Sequence, residues 1–480
     1  MDRQEAERLY DSGKQPTVDK LLEYDTENAA LKQKIAGLER NSRSSSKPPS
    51  TDSSGDRQQR SGPPKNSARR KAGGQRGHPG KHRELLPVDQ VDELIPCYPS
   101  ACVACRQFEV CSTRPVGAGP FRWQVTEIPP LKPTVTEYQL YSLCGKCGQI
   151  HRGTLPEHVG QSSFGARLTA LVAYFTAVLH LPRRAVQDCF QTVFGVTVAL
   201  GSTQNLLKQS SEALAPIDQA LKEALPAQGV INADESGWYR RWVWIFVTSS
   251  FIYFHIARSR GSEVLKRVLG EVYGGILGVD RWGAYTKYHK GLMQLCWEHL
   301  KRDIRGIGEI GSKVQSGQAR TFARRMEYLR KQLMAIWYRY KGGRIGRKRL
   351  ILASEPTRRR IEKCLRDCRE STDRTVRSFA RRLSKLSPHL FTFIFHEGVE
   401  PTNNSSERGI RPAVLWRKIC FGNKTDGGAV ISARLLTVTR TCWQQKRNAL
   451  EFLVQAITAY RTGSPAPMLL QFSEQLKPTG

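Results

Sequence analysis

The fold of this chain is decided by the stretch GVINADESGWYRRWVWIFVTSSFIYFHIAR, which covers residues 229–258. Its first apolar run ends on Asp234. Val, Ile, Phe, Tyr and Trp then dominate two runs joined across a Ser-Ser pair, and this pattern predicts a β-hairpin formed by 241–248 and 251–257. The stretch therefore predicts three consecutive strands, the first of which ends on a carboxylate.

The residues that follow extend this pattern to a helix and a fourth strand. Apolar residues recur at helical spacing over 262–269, and another apolar run, GILGV at 275–279, ends on Asp280. If the first and last strands are neighbours, Asp234 and Asp280 meet at one edge of the sheet. Carboxylates in such a position repel one another unless a cation lies between them, and oxygen ligands favour Mg²⁺ or Mn²⁺ over Zn²⁺.

The composition indicates an anionic partner. The 480 residues include 75 Lys or Arg and 43 Asp or Glu, which gives a net charge of +32. Nucleic acid is the first candidate, because neutralised phosphates release condensed counterions; the alternative is a ribosome-associated or merely basic soluble protein. The sequence has neither an 18-residue apolar run nor an apolar signal core, so we expect a cytoplasmic, nucleoid-associated protein with no membrane partner.

Two segments precede the first predicted domain. Residues 1–40 predict a short coiled coil, for which a surface helix packed on its own chain is the alternative. Its core positions would be Leu21, Asn28 and Ile35, alternating with Tyr24, Leu31 and Leu38. Residues 41–85 are rich in Ser, Pro, Gly, Lys and Arg, and we expect a disordered basic linker that follows a phosphate backbone or is simply solvated.

Residues 86–155 are predicted to form a zinc ribbon. Two Cys-x-x-Cys knuckles are separated by strand-like sequence, and four thiolates at this spacing are typical of a structural zinc site without an open coordination position. The predicted ligands are Cys102, Cys105, Cys144 and Cys147. Cys97 and Cys111 are spare, and the pattern of the 12 cysteines suits a reducing compartment better than a disulfide scaffold.

Helices are predicted on both sides of the strands. Residues 160–228 read as helices, the third of them capped by Ser202, and fit either a helix-turn-helix DNA-binding domain or ordinary helical packing. A basic helical block at 292–398 is predicted to be an insertion within a domain that covers 229–460. Residues 461–480 contain several prolines and are predicted to be a flexible tail.

A third acidic residue follows the insertion in a basic setting. Glu407 belongs to the motif NNSSERGIRP at 403–412. The structural interpretation is a capping box, in which Asn404 caps a helix and Glu407 is its third residue. The functional interpretation is a third carboxylate surrounded by cations that bind phosphate, namely Arg408, Arg411, Arg417 and Lys418.

With these motifs the chain resembles the transposases of the bacterial insertion-sequence family IS66. The resemblance implies a multidomain α+β protein with an RNase H-like catalytic domain of the DDE type, whose triad is Asp234, Asp280 and Glu407. It also implies a leucine-zipper-like N-terminal segment and a zinc-binding module. The matching stretches are NSRSSSKPPS at 41–50, GQRGHPG at 74–80, the Cys144 knuckle, ADESGW at 233–238, CWEHLKR at 296–302, and NNSSERGIRP at 403–412 with WRK at 416–418.

The expected reaction is phosphoryl transfer. Two Mg²⁺ or Mn²⁺ ions held by the triad would serve the cutting of DNA at the element ends, and the freed 3′-hydroxyls would then be joined to target DNA. Glu235 is discounted, because strand alternation sends its side chain to the opposite face. Glu298 and Glu400 remain alternatives to Glu407.

Three other functions compete with a transposase. They are a DNA-binding regulator without catalysis, a nuclease that only cuts, and a recombinase with a covalent Tyr or Ser, which lacks a matching constellation of basic groups. The expected partners are the terminal inverted repeats, the target DNA, further copies of the chain, and accessory proteins of the same element.

Overall fold

The computed structural model of the chain describes residues 3–38, 84–97, 121–156 and 162–470. This part is a mixed α+β structure that contains a two-stranded hairpin and a five-stranded sheet. The strands are β1 (Ser142–Cys144), β2 (Ile150–Arg152), β3 (Val230–Trp238), β4 (Arg241–Val247), β5 (Ile252–Ala257), β6 (Ile276–Val279) and β7 (Met293–Leu295).

The larger sheet has the order β5-β4-β3-β6-β7. β4 pairs antiparallel with β3 and β5, whereas β6 is parallel to β3 and β7 is parallel to β6. The predicted hairpin and the predicted pairing of the first and last strands are therefore confirmed. β3 does not stop at Asp234, because its pairing with β4 continues to Trp238 opposite Arg241.

Helices cover the sheet and fill the long connections. The helix predicted at 262–269 is confirmed and is named α7 (Ser262–Leu269). The helices are α1 (Arg3–Asp11), α2 (Lys14–Leu38), α3 (Ala166–Ala177), α4 (Arg183–Phe194), α5 (Leu200–Ala213), α6 (Ala215–Ala224), α7 (Ser262–Leu269), α8 (Gly283–Tyr288), α9 (Trp297–Lys313), α10 (Gly317–Lys341), α11 (Arg347–Asp367), α12 (Arg374–Lys385), α13 (Thr392–Phe395), α14 (Asn404–Cys420), α15 (Asp426–Gln444) and α16 (Ala449–Thr462). None of the described helices is long and apolar enough to cross a membrane.

Two helices seal the antiparallel side of the sheet. α14 packs on β3 and β4, where a Cβ on Gly409 would lie only 2.6 Å from Ile245 Cδ1. α15 lies along β5, and its Thr437 and Thr441 hydroxyls accept hydrogen bonds from the β5 backbone at 3.0 and 3.1 Å. These hydroxyls satisfy backbone groups that an edge strand otherwise exposes.

The helices that precede the sheet share its core. Val172 of α3 and Leu206 of α5 belong to the same buried apolar cluster as Leu436 of α15 and Leu453 of α16. The sequence predicted a domain of its own for 160–228, but this cluster is continuous across residue 229. α5 begins after Ala199, so the predicted cap at Ser202 is wrong.

The chain between β7 and α14 consists largely of helices α9 to α13. The buried Trp297 begins α9, and its indole donates to the Leu390 carbonyl at 2.8 Å, which ties the two ends of this block together. At the other end of the chain, Leu469 is buried and its carbonyl accepts a hydrogen bond from Gln445. In the described part of the predicted flexible tail, Leu469 is therefore packed, whereas residues 462–465 are exposed. Residues 471–480 lie outside the described residues.

The N-terminal helix α2 packs against α9 near its C-terminal end, where Ala36 is buried. This is the surface-helix alternative of the sequence prediction. The heptad residues nevertheless remain largely exposed: Leu21, Leu31, Ile35 and Leu38 keep more than half of their surface accessible. A coiled coil formed with another chain therefore stays a prediction.

The second cysteine knuckle is formed by β1 and β2. The Gly145 N–H donates to the Gln149 carbonyl at 2.8 Å, and Gly148 has a φ of +80°, so this tight turn brings Cys144 and Cys147 to its tip. Both thiols are exposed. Cys102, Cys105, Cys111 and residues 41–83 of the basic linker lie outside the described residues, so the zinc ribbon and the linker remain predictions.

Replacement of Trp297 by alanine should loosen the helical block from the sheet. Because the side chain is fully buried and hydrogen-bonded, we expect the free energy of unfolding to fall by about 3–5 kcal/mol. Urea denaturation followed by circular dichroism measures this change. Trp443→Ala is the control, since that side chain is 66% exposed, and its loss should stay below about 1 kcal/mol. Equal losses in the two variants would contradict the anchoring role.

Candidate active site

An acidic pocket of about 260 Å³ opens beside the middle of β3, at the point where β6 ends. All three acidic residues predicted from the sequence line it. Four polar residues that had no predicted role line it too. The lining residues are Asp234, Glu235, Arg260, Asp280, His299, Arg302, Glu407 and Ile410.

The register of two parallel strands brings Asp234 and Asp280 together. Asn232 of β3 pairs with Gly278 of β6, so each aspartate follows its paired residue by two positions. Gly278 lies close to Asn232, and a Cβ there would lie 2.2 Å from Asn232 Oδ1, so the asparagine side chain would have to move. Backbone N–H groups orient both carboxylates: Glu235 donates to Asp234 at 2.9 Å, and Trp282 donates to Asp280 at 2.7 Å.

Glu235 belongs to the same pocket, so the reason for discounting it is wrong. β6 ends at Val279 and pairs with β3 only as far as Asn232. Beyond Asn232 this edge of β3 is open, and side chains from both faces of β3 can reach it. Arg260 donates to Glu235 Oε1 through Nε at 2.9 Å and Nη2 at 2.7 Å, and the Tyr285 hydroxyl donates to Oε2. The Glu235 charge is therefore paired inside the pocket.

Arg260 is held in place by two tryptophans. Its guanidinium carbon lies 4.6 Å from the Trp242 ring centroid and 4.0 Å from that of Trp282. The indole of Trp282 also donates to the Arg260 carbonyl at 3.2 Å. Stacking of this kind fixes a cation without removing its hydrogen-bonding capacity. Sequence reasoning missed this group, because its members are separated by up to 40 residues.

Burial and mutual repulsion raise the pKa values of the predicted acidic triad. Burial raises the pKa of Asp234 well above its usual range, and the neighbouring Glu235 and Asp280 carboxylates raise it further. Burial, with Glu235 as the next cause, raises the pKa of Asp280 to about 6. Burial also raises the pKa of Glu407, which Arg302 opposes. A divalent cation with oxygen ligands would relieve this repulsion, so the donor set of the pocket fits Mg²⁺ or Mn²⁺.

Asn403 positions the helix that carries Glu407. Its buried side chain donates to the Ala233 carbonyl at 2.7 Å, next to Asp234, and its backbone N–H donates to Cys296 Sγ at 3.2 Å. Asn403 is also the residue that precedes the first turn of α14, and its side chain makes no capping bond. The capping box predicted for Asn404 is therefore wrong, and Asn403 joins α14 to β3 instead.

The first turn of α9 completes the pocket opposite β3. His299 Nδ1 lies 3.4 Å from Glu407 Oε1, and Arg302 Nη2 lies 3.5 Å from the same oxygen. Burial lowers the pKa of His299 to about 3, helped by Arg302 and Arg281, so the imidazole is neutral. Both residues belong to the CWEHLKR motif at 296–302, in which the sequence alone indicated no role for His299 or Arg302.

The two alternatives to Glu407 lie elsewhere. Glu298 pairs with Lys301 at 2.9 Å, and Glu400 pairs with Lys341. Neither is among the residues that line the acidic pocket. Among the candidates for the third carboxylate, Glu407 alone faces the two aspartates.

The four cations near Glu407 have different environments. Arg408, Arg411 and Lys418 are exposed on α14. Arg417 is half-buried and donates to the Gly237 carbonyl at 2.5 Å, so it bonds the end of β3 to α14. Exposed cations are available to a phosphate backbone, whereas Arg417 has a structural contact.

The sheet and the pocket define an α+β protein with an acidic site of the kind that metal-dependent enzymes use. The chain belongs to the IS66 transposase family, whose model, described as "Transposase IS66 family", matches residues 161–431 and so covers more than half of the chain. A family of unknown function, DUF6444, matches residues 5–84.

A curated relative adds a more distant similarity. The chain is similar to an uncharacterized protein, y4qI, of Sinorhizobium fredii (strain NBRC 101917 / NGR234), with 22% identity. The match covers 47% of this chain and 45% of that protein. The chain thus spans less than half the length of this relative.

Asn403→Ala should uncouple α14 from β3. The substitution leaves the buried Ala233 carbonyl without its partner, and we expect it to lower the free energy of unfolding by about 1–3 kcal/mol. Urea denaturation measures the loss. Asn404→Ala is the matched control, because Asn404 is the neighbouring amide and is partly exposed. A loss at Asn404 equal to that at Asn403 would show that the asparagine pair acts only through helix propensity.

Proposed function

We propose that this chain is a DDE-type DNA transposase, with Asp234, Asp280 and Glu407 as its catalytic carboxylates. The observation that carries the proposal is the convergence of these residues, from β3, the end of β6 and α14, on one pocket. The strand order β5-β4-β3-β6-β7, antiparallel and then parallel, is also that expected of an RNase H-like domain. The helices between β7 and α14 would then form the insertion predicted at 292–398, except that it begins after β7, because Met293–Leu295 form a strand of the sheet.

Asp234, Asp280 and Glu407 would hold two Mg²⁺ or Mn²⁺ ions. Bound there, the ions supply an activated water and stabilise the leaving oxygen of an in-line phosphoryl transfer. The chain's own residues prepare this site. Hydrogen bonds from the backbone orient Asp234 and Asp280, and Arg260 compensates the charge of Glu235, so that the cluster can fold before the ions bind.

The side of the pocket formed by α9 suits a phosphate substrate. Arg302 contributes a positive charge beside Glu407, and it can stabilise charge that develops on a transferring phosphoryl group. His299 is neutral at physiological pH and can donate or accept one hydrogen bond at each ring nitrogen. Attack of the freed 3′-hydroxyl on a phosphodiester of the target DNA in the same pocket requires no covalent intermediate with the protein.

The charge distribution supports DNA as the partner. Residues 317–385 contain 22 Lys or Arg and 6 Asp or Glu, which is half of the net charge of the whole chain. Farther along the chain, α14 adds the exposed Arg408, Arg411 and Lys418, and together with the basic block they offer a positive surface to DNA. We propose that the element ends and the target DNA bind along this surface.

The remaining parts of the proposal concern assembly. A zinc ribbon with Cys144 and Cys147 as two of its ligands, and a coiled coil formed through the exposed heptad residues of α2, would supply further DNA contacts and a second copy of the chain. A regulator without catalysis and a nuclease without strand transfer remain the competing functions. The regulator gives the three carboxylates no role, whereas the nuclease would use the same pocket and would differ from the transposase only in lacking the joining step.

Asp234→Asn, Asp280→Asn and Glu407→Gln should each abolish chemistry but not DNA binding. Loss of one carboxylate removes charge that binds the ions, and we expect joining to fall by about a hundredfold or more. The measurement is a strand-transfer assay with Mg²⁺, a supercoiled target plasmid and duplexes that carry the ends of the encoding element. Glu271→Gln is the control, since Glu271 is 79% exposed and lies outside the pocket.

The same assay separates the competing functions. Joined products support the transposase, nicking alone indicates a nuclease, and binding without cleavage indicates a regulator. Full activity in any of the three pocket variants would refute the site assignment.

Arg408 and Arg411 should contribute to DNA affinity, whereas Arg417 should contribute to stability. The double variant Arg408→Ala, Arg411→Ala is expected to reduce the slope of log affinity against log salt by about 2, because two phosphate contacts are lost. Arg417→Ala should leave this slope unchanged and lower the free energy of unfolding by about 1–3 kcal/mol. Fluorescence anisotropy at several salt concentrations and urea denaturation test the two expectations. An unchanged slope in the double variant would exclude α14 from the DNA surface.

A further inference from the structure

We propose that Cys296, His299 and Glu407 form a binding site for Zn²⁺ or a similar borderline transition metal, which competes with the Mg²⁺ site for Glu407. The metal-binding part of this proposal stands on its own, and only its effect on activity rests on the proposed function. The three side chains each offer one ligand atom, and these atoms lie within 4.8 Å of one another.

The fold places these ligands on two adjoining helix ends. Cys296 is the residue before the first turn of α9, and His299 is the third residue of that helix, so both side chains project from the same end of α9. Glu407 lies in the first turn of α14. The Asn403 N–H bond to Cys296 Sγ fixes the two helix ends against each other.

The present geometry already approaches that of a metal centre. Bond lengths of about 2.0–2.3 Å in a tetrahedral zinc site place neighbouring ligand atoms about 3.3–3.8 Å apart. His299 Nδ1 and Glu407 Oε1 are separated by 3.4 Å. Small side-chain rotations would bring the Cys296 sulfur to a similar distance from both.

The contacts that the three ligand atoms make within the described residues are compatible with metal binding. Nδ1 of His299 is buried and makes no hydrogen bond within the described part of the chain, which is costly for a polar atom unless a ligand occupies that position. Cys296 is only 1% exposed, and a backbone N–H already donates to its sulfur, as is common for thiolates that bind metals. The Glu407 carboxylate makes two long contacts, at 3.4 Å to His299 Nδ1 and at 3.5 Å to Arg302 Nη2.

The chemistry of the three atoms selects the metal. Sulfur, nitrogen and oxygen together suit Zn²⁺ and its neighbours in the first transition series, whereas Mg²⁺ prefers oxygen alone. Three protein ligands leave a fourth position open, in contrast to the closed four-cysteine site predicted for the zinc ribbon. Since Glu407 would serve both centres, occupation by Zn²⁺ withdraws it from Asp234 and Asp280 and inhibits the Mg²⁺-dependent reaction.

The test is a Zn²⁺ titration of the full-length chain in competition with a chromophoric chelator. The wild-type chain should bind one Zn²⁺ ion more than Cys296→Ser does, or should bind that ion with an affinity at least about tenfold higher than that of Cys296→Ser. His299→Gln is the second variant and should lose the same ion, so the result does not depend on the folding of one mutant. Cys189→Ser, which changes a cysteine of α4 far along the chain, should retain it.

Cobalt provides a direct view of the thiolate. Co²⁺ bound to the wild-type chain should show sulfur-to-cobalt charge-transfer absorption that decreases in Cys296→Ser. To separate this signal from the zinc ribbon, both measurements are repeated in a Cys144→Ser background, where the difference made by the Cys296→Ser substitution should persist. Equal Zn²⁺ stoichiometry and affinity with and without Cys296 and His299 would overturn the proposal.

The activity assay then distinguishes this inference from the proposed function. Zn²⁺ added to the Mg²⁺-supported reaction should inhibit the wild-type chain, and Cys296→Ser should need about tenfold more Zn²⁺ for the same fractional inhibition. If Cys296→Ser loses the Zn²⁺ ion but the wild-type chain shows no joining activity, the proposed transposase function is refuted and the metal-site proposal stands. Joining activity with no Zn²⁺ difference would refute the metal site alone.

Discussion

The parallel pairing of β3 with β6 is the constraint on which the site depends. Asn232 opposite Gly278 fixes the register, and this register brings Asp234 and Asp280 to the same level of the sheet. A slip of one residue would turn one of the two carboxylates to the other face. The two strands are close at this point, and a side chain at 278 would force the Asn232 side chain to move. Two acidic side chains 46 positions apart in the sequence are thereby placed at one edge.

This edge is electrostatically unfavourable for the folded protein without a bound cation. Burial raises the pKa values of Asp234, Asp280 and Glu407, and the charge of Glu235 raises those of the two aspartates further. Arg260, stacked between Trp242 and Trp282, offsets the Glu235 charge, but it does not neutralise the cluster. The large apolar core around the sheet therefore stabilises a pocket that is itself destabilising. Concentrated like charge in a buried pocket is typical of functional sites.

The parts of the fold that could be predicted were those with a local signal. Apolar runs that end on an aspartate predicted β3 and β6, and apolar spacing predicted α7 over 262–269. Glu235, Arg260 and Arg302 had no such signal, because their role depends on which elements the sheet brings together. Strand alternation was misleading at Glu235, since β6 ends before β3 does. Asn403 and Asn404 are adjacent amides, and only the packing of α14 on β3 decides which of them is buried.

The third carboxylate depends on a different kind of constraint from the first two. Glu407 follows Asp280 by 127 residues, and no strand register fixes it. Its position depends on Asn403, whose two hydrogen bonds reach β3 and the start of α9. Its side chain is 35% exposed, compared with 1% for Glu235, and its contacts to His299 and Arg302 are long. Glu407 is thus the least restrained acid of the pocket. It lies between the oxygen ligands of Asp234 and Asp280 on one side and the nitrogen of His299 and sulfur of Cys296 on the other. A change of bound metal ion would therefore act on the pocket through the position of Glu407.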